Sequence, residues 1–295
     1  MSGDDVYNRW QPSGMNNRWV FLAADLGCRL FRRESLYRIS DAVMDWYLGR
    51  HPEVLAAIES NLRGAFPGME RLRAEALALR TVFNYGHGVV DYLRGLADPP
   101  VVRPAPGADA LLDKDFGAKV LLCAHMGNWE VGGFFIGRAV GPHTVVAFPE
   151  RDPGVESFRA SRRAAAGLTT LSAGQGLHNL FALRRVLERG EAVIALVDRA
   201  VGRDRVEVRF RGRRAGFLRS PATLATLADT WVLPAVVVAE GPGVYTALVG
   251  EPCRRPGESA TAETVMQRAA DFFGAVLERY PDQWYNFFPF WEEAS

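Results

Sequence analysis

The spacing of apolar residues changes once along this chain, at a proline-rich stretch, and that change limits what it can fold into. Before it, apolar side chains recur at three- and four-residue steps over 17–32, 35–49, 52–64 and 69–95, which predicts four helices. Pro52 at an early helical position and Pro67-Gly68 between segments mark boundaries. Residues 97–110, ADPPVVRPAPGADA, read as a connector. Beyond it, strand-like runs at 118–124, 143–148, 192–197, 206–211, 231–239 and 244–249 alternate with helix-like runs at 129–139, 154–166, 177–189, 220–229 and 262–279. Such alternation predicts an α/β layer, a mostly parallel or mixed central sheet flanked by helices. We place a helical N-terminal region and connector at 1–104 and an α/β domain at 105–295.

With 295 residues, 48% of them hydrophobic, the chain can bury a full core. Thirty-five basic against 34 acidic residues leave a net charge of only +1, so no global basic field argues for nucleic acid. The arginines cluster locally: Arg29, Arg32 and Arg33; Arg159, Arg162 and Arg163; Arg203 through Arg214. Cys28, Cys123 and Cys253 lack the spacing of a metal site or disulfide framework, and the five histidines show no metal-type pairing, so no metal is expected. A reducing, cytosolic setting follows as the default expectation. The opening MSGDDVYNRWQPSG does not look like a secretory leader. The stretch Trp19 to Phe31 carries Asp25 and falls short of the ~20 apolar residues a spanning helix needs. Flanked by arginines, it reads either as a helix lying flat at an anionic interface or as one docked on the protein's own core. Gly174-Gln175-Gly176 lacks the rest of a dinucleotide fingerprint and reads as a loop. Neither a G-x-S-x-G elbow nor a P-loop occurs.

The segment LLCAHMGNWEVGG (121–133) carries the chemistry. An apolar strand delivers His125, a Gly-Asn turn follows, and Glu130 opens the next helix. A neutral imidazole takes a proton from a hydroxyl, and a nearby carboxylate fixes its tautomer and stabilises the imidazolium. The plainer reading is a strand cap and a carboxylate complementing a helix dipole. Asp198 ends the apolar strand AVIALVD and needs a pocket or partner, unless it is an ordinary turn residue. Both His125 and Asp198 fall at strand carboxyl ends, where function gathers in such sheets. Arg199 either pairs with Asp198 or faces substrate. Gly127 and Asn128 either donate to a developing oxyanion or, for Asn128, cap the helix.

In order along the chain, NLRGAFP (61–67), AHMGNWE, VDR (197–199) leading into VEVRFRGRRAGF, SPATLATLADTWVLPAVVV (220–238) and YPDQWYNFF (280–288) resemble the bacterial lipid A late acyltransferases and the mycobacterial phosphatidylinositol mannoside acyltransferases. These belong to the wider H-x4-D/E glycerolipid acyltransferase group, and the resemblance covers roughly 55 to 292. It implies a glycerolipid acyltransferase-like fold and transfer of a fatty acyl chain from a thioester to a lipid or glycolipid hydroxyl. It implies His125 and Glu130 as the catalytic pair, Asp198 in the active centre, and Arg163 binding the acceptor's phosphate or a phosphopantetheine arm. The aromatic tail from Trp284 to Trp291 would close the fold, with a lesser role lining an acyl channel. No tightly bound cofactor is implied; the donor would be an acyl carrier protein or coenzyme A thioester, the carrier protein being favoured. Many members carry an N-terminal membrane helix and this sequence departs from them. The expectation is a cytoplasmic enzyme in peripheral contact with the inner face of the membrane. An acceptor that is a soluble secondary metabolite, or an inactive lipid-binding homologue, remain the alternatives.

Overall fold

The computed structural model describes residues 17–291 apart from 114–115, 151, 174–176 and 201. The loop expected at Gly174–Gly176 therefore lies outside the described residues. Four helices come first: α1 (Arg18–Leu30), α2 (Arg33–Leu48), α3 (Pro52–Ala65) and α4 (Arg71–Arg94). Asn17 caps α1 by accepting from the Trp19 and Val20 amides, and Pro52 opens α3 with a preset φ. The long α4 is the spine of this layer. Met44, Tyr47 and Leu48 of α2 and Val54, Ile58 and Leu62 of α3 bury against its Leu77, Ala78 and Val82. Helix α1 reaches α4 partly through charge. Arg162 ion-pairs Asp25 at 2.8 Å and donates to the Tyr92 and Leu93 carbonyls, while Arg94 donates to Cys28 and Phe31. Arg33, grouped in the sequence with Arg29 and Arg32, turns inward to Asp91 (3.1 Å) and Asp98 (3.2 Å).

The connector contributes a strand, β1 (Val101–Pro104), and a short helix α5 (Ala108–Leu112). The chain then runs β2 (Lys119–Cys123), α6 (Trp129–Val140), β3 (His143–Ala147), α7 (Pro153–Ala165), β4 (Thr169–Ser172), α8 (Leu177–Glu188), β5 (Ala192–Leu196), β6 (Val206–Phe210), β7 (Arg213–Phe217), α9 (Ser220–Leu227), β8 (Trp231–Gly241), β9 (Val244–Val249) and α10 (Ala262–Arg279). Seven strands form one sheet in the order β1-β9-β8-β2-β5-β3-β4, parallel except for the β8–β9 pair. The expected mixed, mainly parallel sheet is the observed one. β2 sits near the middle with all its residues buried, which explains its apolar run from Val120 onward; the buried Lys119 donates to the Asp113 carbonyl. Its register with β5 pairs Cys123 with Leu196, so the two strands end level.

Helix positions follow the apolar periodicity closely. Three strands do not: β1 ends on a proline at the sheet edge, β4 is short and polar at the other edge, and β7 is arginine-rich. β6 and β7 form a separate hairpin whose two turn residues, Arg211 and Gly212, both take positive φ (49° and 81°), as a tight hairpin turn demands. Its inner residues Val208, Phe210, Ala215 and Phe217 join the main core, Arg213 lies over the Trp291 ring (5.1 Å), and Arg209 and Arg214 point outward.

After α10 a short turn (Pro281–Gln283) leads a tail back across the sheet and onto α3. Buried Asn61 anchors it. Its amide donates to the Asn286 and Phe288 carbonyls (2.9 and 2.8 Å), its oxygen accepts from the Phe290 amide (2.8 Å), and its own carbonyl accepts from Trp291 (2.9 Å). Replacing Asn61 with Ala strands buried backbone groups, each worth ~1–3 kcal/mol. Urea unfolding of Asn61→Ala should show a loss of about 2–4 kcal/mol. A loss below about 0.5 kcal/mol would mean the tail is held by its aromatics alone.

Candidate active site

His125 and Asp198 each lie two residues past the last paired residues of β2 and β5, which brings them side by side. His125 Nδ1 sits 2.7 Å from Asp198 Oδ1, and the same oxygen accepts the His125 backbone N–H at 3.0 Å. Asn286 donates to Asp198 Oδ2 at 3.2 Å. A carboxylate in this setting accepts throughout, so Nδ1 carries the ring proton and Nε2 is left as the base. Burial would push the Asp198 carboxyl up, but the His125 ring and amide and the Arg199 charge outweigh it and hold it at about 2. Burial, helped by Arg199, pushes the imidazole below its ordinary value despite the opposing Asp198, so the ring is neutral near pH 7.

The C-terminal tail forms the wall behind this pair. The Tyr285 amide donates to the His125 carbonyl (2.8 Å) and the Gly127 amide to the Gln283 carbonyl (2.8 Å). Arg199 is committed to the tail, donating from Nε to Asn286 (2.9 Å) and from its terminal nitrogen to the Tyr285 carbonyl (2.7 Å). It reaches the pair through Asn286 and through its field rather than by a direct Asp198 contact. Burial lowers its own pKa to about 10.

Glu130 occupies the first turn of α6, but its carboxylate answers to arginines and not to the imidazole. Arg163 contacts it at 2.5 and 3.2 Å and Arg159 at 3.3 Å, both from α7. Arg159 in turn ion-pairs Glu150 at 3.2 Å. Burial would raise the Glu130 carboxyl, yet the two guanidiniums hold it below its ordinary value. The expected His125–Glu130 pairing is thus corrected: the partner acid of His125 is Asp198. Arg163, which the resemblance assigned to a phosphate, is placed as the forked partner of Glu130 in a buried ion pair.

Asn128 caps α6. Its side-chain oxygen accepts from the Val131 amide (3.1 Å), and its two amide hydrogens go to the Gly88 carbonyl (2.9 Å) and the Tyr245 hydroxyl (3.3 Å). Its backbone N–H donates to Val237. With the Gly127 and Asn128 donors all engaged, neither serves as the expected oxyanion donor in this conformation. Gly127 has a different necessity: at φ +59° a Cβ there would lie 2.0 Å from the Val237 carbonyl oxygen. Tyr245 carries the Asn128 contact to Asp91, a buried acid that also accepts from Tyr37 and pairs with Arg33.

A narrow cleft is walled by Phe21, Tyr85, Val89, Tyr92, Trp129 and Tyr285, with Glu130 and Arg159 as its charged lining, and it meets the imidazole through Trp129. The Trp129 ring meets the His125 ring edge-on at 5.2 Å. Among the described residues no cluster of His, Cys, Asp and Glu has a metal-holding arrangement.

The match to known proteins covers the same elements. Residues 109–293, more than half of the chain, match the family described as bacterial lipid A biosynthesis acyltransferase. This chain belongs to that family. The phosphatidylinositol mannoside acyltransferase of Mycolicibacterium smegmatis (strain ATCC 700084 / mc(2)155) is 28% identical over 185 residues, covering 61% of this chain and 58% of the relative. The enzyme of the same name from Mycobacterium tuberculosis (strain ATCC 25618 / H37Rv) is 29% identical over 188 residues, covering 62% and 57%. The match thus spans little more than half the length of either relative. The family match takes in β2 through the tail, hence His125, Asp198 and Asn286 alike.

Asn286 and Asp91 did not stand out in the sequence, though a signal existed. Each is a polar residue inside an aromatic or apolar run, YNFF and VVDYL, the same anomaly that singled out Asp198. For Glu130 the expected outcome is now structural as well as catalytic. Glu130→Gln leaves the buried Arg163 guanidinium without its carboxylate, while Arg159 keeps Glu150, a loss of ~3 kcal/mol by analogy with broken buried pairs. Thermal and urea unfolding should register it; an unchanged midpoint would return Glu130 to a purely local role.

Proposed function

We propose that this chain is an O-acyltransferase that moves a fatty acyl group from a thioester to a hydroxyl of a lipid or glycolipid, with His125 as general base and Asp198 as its partner. The observation that carries this reading is the 2.7 Å His125–Asp198 contact at the carboxyl ends of two central strands, beside an aromatic cleft. Asp198 holds the ring proton on Nδ1, so Nε2 accepts the proton of the acceptor hydroxyl as its oxygen attacks the thioester carbonyl. The tetrahedral adduct then collapses, the C–S bond breaks, and the thiolate takes the proton back from the imidazolium. No covalent acyl-enzyme is needed. Glu130, locked to Arg159 and Arg163, fixes the rim of the cleft and the start of α6.

The names of the relatives support a glycolipid acceptor. For the donor we favour an acyl carrier protein over coenzyme A, because the outward Arg209 and Arg214 of the hairpin suit an acidic carrier. No helix among the described residues is long and apolar enough to cross a membrane. For the lipid acceptor to be reached, we further propose peripheral contact with the inner face of the cell membrane. The decisive assay incubates the purified chain with acyl-carrier-protein and coenzyme A thioesters and a bacterial glycolipid fraction, with mass spectrometry to detect acylated product. No transfer from either donor would defeat the reading.

Two further outcomes follow. His125→Ala should lower turnover by about 10²- to 10⁴-fold with folding little changed, and a variant keeping more than about a tenth of the activity would remove the proton-transfer role. The base works only when neutral, and its pKa is depressed, so the midpoint of the acid limb of turnover should lie below the ordinary imidazole value of 6.5. Asp198, held at about 2, stays ionised across that range. An acid limb of the kcat profile centred above 6.5 would contradict a desolvated imidazole.

A further inference from the structure

Tyr85 and Tyr92 of α4 and Tyr285 of the tail all line the cleft, and none of their hydroxyls hydrogen-bonds another group among the described residues. Tyr92 is 4% exposed and Tyr285 5%. A tyrosine buried to that degree normally places its hydroxyl on a partner, and three in one cleft without any ask for a common explanation. The neighbouring polar groups are engaged. Gly127 and Asn128 spend their donors on the fold, and Arg159 is shared between Glu130 and Glu150. Polar atoms of a bound substrate are the partners such hydroxyls suit.

The three positions are not equivalent. Seven residues separate Tyr85 from Tyr92, two turns or about 10 Å along α4, so they cannot serve the same atom. Burial foremost pushes all three phenols up, which keeps them protonated donors near neutrality. The charges around them differ. The leading charge on Tyr92 is the Glu130 carboxylate, and on Tyr285 it is Asp282. On Tyr85 it is the Arg159 guanidinium, followed by Glu150 and then by Arg199, the neighbour of Asp198. Tyr85 thus stands between the two charge systems of the site, within reach of a cation from each. Its ring is held edge-on by Tyr285 (5.4 Å) and Phe287 (5.0 Å), and the Tyr285 amide is bonded to the His125 carbonyl. Negative charge forming beside Tyr85 meets a donor and a cation first; beside the other two it meets a carboxylate.

We propose that the Tyr85 hydroxyl is the oxyanion donor of the reaction, hydrogen-bonding the thioester carbonyl oxygen as charge builds on it. This rests on the acyl-transfer reading and fills the role that Gly127 and Asn128 leave open. The acceptor oxygen bonds to the carbonyl carbon, its proton passes to His125 Nε2, and the C=O electron pair moves onto the oxygen facing Tyr85. The phenol keeps its proton throughout. When the adduct collapses the C=O bond re-forms, the C–S bond breaks, and the thiolate takes the proton from the imidazolium. A donor aimed at such an oxygen in a desolvated site is worth about 10²- to 10³-fold in rate. A residue of the helical layer thereby joins the reacting centre built by the sheet.

Tyr85→Phe tests it, because the ring and its edge contacts stay and only an unpartnered hydroxyl goes; the unfolding temperature should not fall. In the full chain kcat should drop about 10²-fold with KM changed less than about threefold. Infrared spectroscopy reads the same contact without turnover. The probe is a ketone analogue of an acyl-pantetheine thioester, with methylene in place of sulfur and an isotope-labelled carbonyl. Bound to the wild type, its carbonyl stretch should move to lower frequency, and most of that shift should vanish in Tyr85→Phe. A Tyr85→Phe variant that keeps more than about a tenth of kcat, or a carbonyl shift that survives it, overturns the proposal. So does a shift lost instead in Tyr285→Phe or in Trp129→Phe, whose indole N–H is the rival donor nearest the imidazole. A wild type that does not bind the analogue defeats the acyl-transfer reading and this proposal with it, whereas binding with an unshifted carbonyl defeats this proposal alone.

Discussion

A carboxylate buried at the end of a parallel sheet must be hydrogen-bonded on both oxygens, and meeting that demand organises this protein. Asp198 is 3% exposed. One of its oxygens takes the His125 amide and imidazole and the other takes Asn286, so it joins the end of β2, the end of β5 and the C-terminal tail. The tail must therefore cross the sheet to arrive there. Gln283 pairs with Ala239 of β8 through its side-chain amide, and Asn61 of α3 receives the last residues. The helical layer and the sheet are thus connected through the polar groups that orient one histidine. The tautomer of that histidine is thus fixed by contacts from two strands and the tail together.

The second buried acid, Glu130, belongs to a separate charge system. The H-x4-E spacing puts it at the start of α6, on the rim of the same cleft, but its cations come from α7. Two acids within one site are kept ionised by different means: Asp198 chiefly by histidine and Arg199, Glu130 by paired guanidiniums. The imidazole itself keeps a depressed value through burial and the Arg199 charge, against the opposing Asp198.

How much of this was legible in the sequence depended on distance along the chain. The change of apolar period at the proline-rich stretch located the helical layer and the α/β layer, because periodicity is a local property. His125 and Asp198 were legible as site residues because each ends an apolar strand, where a polar group has few other reasons to be. Which acid the histidine would choose was not legible. That depends on register: β2 and β5 ending level brings Asp198 alongside, and α7 docking brings arginines to Glu130 first. Asn128 looked equally able to cap a helix or bind an oxyanion, and only the approach of Gly88 and Tyr245 decided it. The strands β1, β4 and β7 escaped for a related reason. Edge and hairpin strands owe their form to the partner they pair with, and their own apolar content is low.

The central claim, that His125 works through Asp198 and not through Glu130, is tested most directly by a double-mutant cycle on kcat/KM using His125→Ala, Asp198→Asn and the combined variant. Residues acting as one unit lose activity together, so the double variant should be no slower than His125→Ala alone, within about threefold. Losses that multiply, with the combined variant falling by the product of the two single effects, would show that Asp198 acts independently of the histidine and would contradict the account.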